Sequence, residues 1–382
     1  MENTDIPKTK KRKNTRLAIS LVVLVILVGT VIFLSLGSSW FTNLFPSRPS
    51  DISVDEFNFD VGNSRTFAKM DDSIVAAGTL GISVVDFGGR ETLSDSFRMI
   101  QPALYSSGNR SIAFDIGGTA VRVFSESQLH SSIEAYGSIV SATINKNGWF
   151  SIVTQEGAGT RGIVSVHNAA GHAVYRVYLR TGFPLSAALS PNNTSLAILN
   201  FSETGSKINF YHGIDEYKSE PDIVFDLYGG LIVDMVFLSN SELLVISTDS
   251  LFVVNSDGSA TMLYSFLDRR LGGFTHYDNF IALHIYDYGI GLQGRLVTLL
   301  TDGTVLGEIA VDREILSMSS TNDSLVILLS EGVTFFTREL EFSMASAYSL
   351  SAAGAGRVLA ISSDIALATN DNTAIVIRRE EH

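Results

Sequence analysis

The chain has 382 residues, 45% of them hydrophobic and only 18% charged, with a formal net charge of −13 and no cysteine. That composition supports a large buried core and excludes a disordered chain, while the lack of thiols excludes disulfides, thiolate metal sites and cysteine nucleophiles. Residues 1–16 hold six Lys or Arg against Glu2 and Asp5, a net of +4, so the remainder carries −17; an acidic body of this kind argues against nucleic-acid binding, which needs clustered cations to neutralise phosphates.

In chain order, residues 1–16 read as a basic tail. The next twenty, "LAISLVVLVILVGTVIFLSL" at 17–36, carry no charge. At about 1.5 Å per residue a helix of that length spans a hydrocarbon core of about 30 Å. A cleaved signal peptide ending near Ser35 and Gly37 is the competing reading, but the apolar stretch exceeds the roughly 7–15 residues usual for one. The expectation is therefore one transmembrane helix. By the positive-inside rule the tail at 1–16 is cytoplasmic and everything after residue 36 is exported, giving a single-pass cell-membrane protein with an extracellular C-terminal domain. Trp40, Phe41 and Phe45 suit the outer interface, and Pro46 and Pro49 mark a stiff stalk over 37–51.

From residue 52 onward no long stretch has helical periodicity, and short runs rich in Val, Ile, Leu and Phe alternate with turn residues, which reads as all-β. One phrase recurs eight times. Its first apolar run leads with Ile74, Ile112, Phe150, Leu196, Leu243, Phe280, Leu325 and Ile365; its second opens on Gly, Ser or Thr, as in "GISVVDF", "SKINFY" and "TAIVIR". Turns such as "DFGGR" at 86–90, "NKNGW" at 145–149, "NSDGS" at 255–259 and "TDGT" at 301–304 supply positive φ. With one further strand before each pair and one after, each copy of about forty residues is a four-stranded blade of a β-propeller.

Eight blades over 52–382 are favoured, with seven as the alternative and the copy at 65–97 the weakest. The eighth copy ends after its third strand, whereas "ISVDEFNFD" at 52–60 is an unpaired strand upstream of the first. This segment is expected to supply the missing outer strand of the last blade and close the ring.

Chemical motifs are sparse. "GAGTRG" at 157–162 and "GIGLQG" at 289–294 match a dinucleotide-binding glycine pattern but precede strands instead of the helix that pattern requires, so they read as hairpins. No His pair has metal-binding i, i+4 spacing and no nucleophile elbow is present, so no catalytic residue, cofactor or metal site is assigned. The densest aromatic and histidine stretch is "FTHYDNFIALHIYDYG" at 274–289. There His276, Tyr277, His284, Tyr286 and Tyr288 are the candidate binding residues, because Tyr and His combine apolar area with a polar tip. The functional expectation is a membrane-tethered scaffold that binds an envelope protein or surface ligand; the alternative is a glycan or peptide hydrolase or lyase with its site in the propeller channel.

The basic tail, single apolar helix and exported repeat together resemble single-pass envelope proteins of Gram-positive bacteria whose extracellular part is a propeller-like domain of unknown function. "SPNNTSLAIL" at 190–199 resembles the strand-entry phrase of bacterial propellers of the translocation-associated type. The resemblance implies fold and topology and transfers no functional residue. The Trp-Asp dipeptide of WD repeats is missing, and with only Trp40 and Trp149 the repeated tryptophan of quinoprotein-like blades is missing too.

Overall fold

Each copy of the recurring phrase forms the two middle strands of a four-stranded antiparallel sheet, and there are eight such sheets. The computed structural model describes residues 52–57, 59–155, 159–214, 218–287, 293–346, 356–370 and 374–379. The expected tail, transmembrane helix and stalk at 1–51 lie outside the described residues. Among the described residues no helix is long and apolar enough to cross a membrane.

Blade 1 spans residues 66–96, blade 2 102–134, blade 3 138–179, blade 4 183–228, blade 5 232–265, blade 6 269–311 and blade 7 315–346. Blade 8 takes three strands from 357–379 and its fourth from Ile52–Phe57. That closing strand pairs antiparallel with Ala374–Arg379, from Ile52 opposite Arg379 to Phe57 opposite Ala374. The start of the fold is thus hydrogen-bonded to its end, and a sheet edge that would otherwise be open is covered. The copy at 65–97 is a complete blade, so the count is eight.

First strands are innermost, and those of blades 1 to 5 and of blades 6 to 8 touch in sequence. Turns between first and second strands, and between third and fourth, gather at one end of the ring, here the hairpin end. Turns between second and third strands, and the connections between blades, gather at the other, the linker end. The turn sequences act locally: Gly148 and Gly303 take φ of 79° and 88°, and their N–H groups donate to Asn145 O and Leu300 O at 2.9 Å. A Cβ is disfavoured at such angles, which is why glycine stands there.

Second and third strands are buried on both faces. Strand Ser324–Leu329 is buried at all six positions, and apolar clusters bridge blade to blade. Val75 and Val84 of blade 1 pack with Ala113 and Phe124 of blade 2, and Val326, Leu328 and Phe335 of blade 7 pack with Ala366 and Ile377 of blade 8. Each large apolar side chain in these clusters contributes roughly 1.5–3 kcal/mol on burial. A lone blade would expose two greasy faces, so the ring is the stable unit.

Candidate functional site

At the hairpin end, side chains reach across the ring. Lys146 Nζ of blade 3 lies 3.7 Å from Asp278 Oδ1 of blade 6. Lys69 Nζ of blade 1 lies 5.8 Å from the centroid of the Tyr277 ring, also of blade 6, and donates to Ile361 O of blade 8 at 2.6 Å. Burial lowers the Lys69 pKa, against the pull of Asp71 and Asp72. Between these contacts, His276 Nε2 of blade 6 sits 3.6 Å from Asp234 Oδ2 of blade 5. Burial raises the pKa of the Tyr105 hydroxyl of blade 2, and the Asp234 charge raises it further. Tyr105 therefore stays protonated and is a poor base or nucleophile. Among the described residues no group of three or more His, Asp or Glu could hold a metal.

The linker end has a different chemistry. In blades 3 to 7 the first strand slips register by one residue near its start, leaving Val140, Leu185, Val233, Gly272 and Leu316 unpaired in β-bulges. A bulge re-aims the extra residue out of the sheet. Leu185, Val233 and Leu316 are accordingly 37%, 41% and 42% exposed, whereas Val140 packs against the core between blades 3 and 4. Around them lie Phe183, Phe201, Tyr228 and Leu231, all exposed. Twelve of the seventeen exposed large apolar side chains among the described residues lie at this end.

The candidates from 274–289 do not converge. The second strand of blade 6 is Phe280–Asp287, with Ile281, Leu283 and Ile285 packed toward blade 5 and His284 on the opposite face. His276 and Tyr277 end the first strand, at the hairpin end; Tyr286 lies near the linker end. Tyr288 is outside the described residues. Only His284 and Tyr286 meet, with ring centroids 4.3 Å apart. They occupy the space beside the Gly272 bulge, where a Cβ would come within 2.5 Å of Tyr286 Cε2 and 2.8 Å of His284 Nδ1. Tyr286 thus stands where the other bulges carry an aliphatic side chain, and Arg270 covers its ring at 4.8 Å. His284 is 1% exposed and both its ring nitrogens are without a hydrogen-bond partner. Burial, helped by the Arg270 charge, lowers its pKa to about 4.

The described ends of both glycine-rich stretches lead directly into third strands, at Gly162 and Gly294; residues 157–158 and 289–292 lie outside the described residues. The bulge residues escaped the reading of the sequence, although a signal was present. In "IVDMVF" and "ILSMSS" two adjacent apolar residues open the first strand and break its alternation, and the second of them is the bulge residue.

Solved structures share this architecture. The C-terminal WD40 domain of Sif2 superimposes with a TM-score of 0.64 at 12% identity, covering 88% of this chain and 100% of that one. BamB from Moraxella catarrhalis gives 0.55 at 12% identity over 85% and 98%. The WD40 domain of SCAP from fission yeast gives 0.55 at 12% over 86% and 98%. At such identity the likeness is one of fold alone. No curated protein matches the chain. The match at the level of family runs from the ring-closing strand into blade 7: over residues 52–339 the chain fits, and belongs to, a family of unknown function (DUF5711).

Proposed function

We propose that this protein is a membrane-tethered, extracytoplasmic propeller that holds a protein partner on the linker end of its ring. The observation that carries the reading is the concentration of exposed apolar side chains at that end, densest around the bulges of blades 4 and 5. Scattered exposed apolar residues are ordinary, whereas a grouped set marks an interaction surface. The tether rests on the basic tail and the uncharged stretch at 17–36, and the Gram-positive envelope setting on the resemblance noted above. A binding role is favoured over a hydrolase or lyase because Lys146 is paired with Asp278 and His276 with Asp234, and burial keeps Tyr105 protonated.

The test is crosslinking in intact membranes, with neighbours identified for the native chain and for Leu185→Glu with Leu316→Glu. A reproducible neighbour that is lost in the double variant supports the reading. Recovery of no reproducible neighbour, or of the same neighbour from both chains, overturns it. Protease protection of the C-terminal body in right-side-out vesicles would overturn the extracytoplasmic placement.

A further inference from the structure

A cleft of about 140 Å³ lies between blades 2 and 3. Its wall is the blade 2-facing surface of blade 3. There, cross-strand neighbours build two rows: Ile152, Ser165 and Arg176, then Thr154, Ile163 and Tyr178. Its lip is the end of blade 2's outer strand, where Ile133 and Ala135 add apolar surface and Glu134 and Tyr136 stand at the rim. His167 closes the inner end, stacked on Phe150 with ring centroids 4.8 Å apart. Both its ring nitrogens are engaged, with Gly171 O and Ser165 Oγ at 3.1 Å.

The arginine is the distinctive element. Arg176 is half-buried, its guanidinium 4.8 Å from the centroid of the Tyr136 ring. A side-chain hydrogen bond with Tyr178, and then the neighbouring Tyr136, favours its charged form. Among the described residues no carboxylate lies within ion-pair distance of it, although eleven other such pairs are made. Two tyrosines thus orient a planar cation with no anionic partner at the mouth of a mostly apolar cavity. A guanidinium fork matches a carboxylate in two parallel hydrogen bonds. One cation, with His167 occupied and Glu134 nearby, suits a single negative charge and disfavours a dianionic phosphate. The volume is close to the roughly 150 Å³ of a cavity that holds benzene, so it takes about one aromatic ring or branched aliphatic group.

We infer that the cleft between blades 2 and 3 binds an apolar group carrying one carboxylate, as an apolar amino acid or a peptide C-terminus does. The carboxylate lies on Arg176 and the apolar group on Ile133, Ile152 and Ile163. Its rim residues Tyr136 and Tyr178 also count among the exposed apolar side chains of the linker end, but neither is a bulge residue and neither is changed in the partner test above.

The experiment compares N-acetyl-phenylalanine with its uncharged amide by saturation-transfer NMR and calorimetry on the full chain in detergent. The acid is expected to bind at least about tenfold more tightly than the amide. Arg176→Gln is expected to abolish that difference, while Arg180→Gln, outside the cleft, leaves it intact. Ser165→Leu should fill the cavity and block the acid; its melting temperature, read in parallel, separates blocking from unfolding. Free phenylalanine against glycyl-glycyl-phenylalanine distinguishes an amino acid from a peptide C-terminus. Equal binding of acid and amide, no binding of either, or an acid preference that survives Arg176→Gln would overturn the inference, and none of these bears on the linker-end partner.

Discussion

The buried, unpartnered His284 makes a quantitative demand on how stability depends on pH. In the unfolded chain its imidazole has the ordinary pKa of about 6.5; in the ring, burial first and Arg270 second bring it to about 4. The folded value is the lower one, so below pH 6.5 the unfolded state binds more protons and acid favours unfolding. Above about pH 7 His284 contributes no pH dependence. Integrating the linkage between the two pKa values, the penalty is about 1.5 kcal/mol at pH 5.5 and about 2.5 kcal/mol at pH 4.5, levelling off below pH 4. His284→Leu keeps the volume close and removes both unpaired nitrogens, each of which costs on the order of 1 kcal/mol when buried. The variant is expected to be no less stable than the native chain at pH 7 and to gain on it by about 2.5 kcal/mol at pH 4.5. Urea midpoints of both chains at pH 7, 5.5 and 4.5, with m-values compared, measure this. Parallel curves, with the gap between the chains constant across pH, would refute the reasoning.

Deleting Ile52–Phe57 leaves the strand Ala374–Arg379 as an open edge; a lower urea midpoint together with concentration-dependent light scattering is expected, and unchanged values for both would mean that the ring does not depend on its closing strand. Phe335→Ala empties a fully buried position between blades 7 and 8 and should cost about 3–5 kcal/mol in equilibrium unfolding. Lys146→Ala and Asp278→Ala, by contrast, break a pair whose side chains are 77% and 60% exposed. A double-mutant cycle should find a coupling below about 1 kcal/mol that fades with added salt, despite the pair spanning the ring.

Most of the architecture was legible because a forty-residue unit that must bury two faces repeats its apolar runs and its turn glycines together. All eight leading residues, from Ile74 to Ile365, fall within the first three positions of second strands. The closing role of Ile52–Phe57 followed from counting strands, since the eighth copy was one short. The site was less legible. Aromatic density singled out 274–289, but a β-strand sends neighbouring residues to opposite faces. His276 accordingly turns to Asp234 of blade 5, while His284 faces away from blade 5 and is buried. Arg176 and Tyr136 are forty residues apart and meet only because blades 2 and 3 pack side by side, a relation that spacing along one copy does not encode.

The bulges show where a repeating scaffold stops being symmetrical. A ring of eight equivalent blades would present eight equivalent linker ends, and a partner resting on it would have no preferred rotation. Here the register slip occurs in the first strands of blades 3 to 7, whereas those of blades 8, 1 and 2 pair without one. The extra residue is aliphatic in four of the five and is Gly272 in the fifth, where Tyr286 fills the space instead. A bulge interrupts the ladder and leaves a residue unpaired, so repeating it in five consecutive blades is hard to account for by packing within each sheet, where the three regular first strands serve equally well. Three of the five bulges, at Leu185, Val233 and Leu316, put an exposed aliphatic side chain at the linker end, whereas Val140 packs against the core between blades 3 and 4. The exposed apolar side chains of the linker end are densest over blades 4 and 5, at Phe183, Leu185, Phe201, Tyr228, Leu231 and Val233, and a surface denser in apolar groups over one arc has a direction, which is what a scaffold needs in order to hold one partner in one orientation.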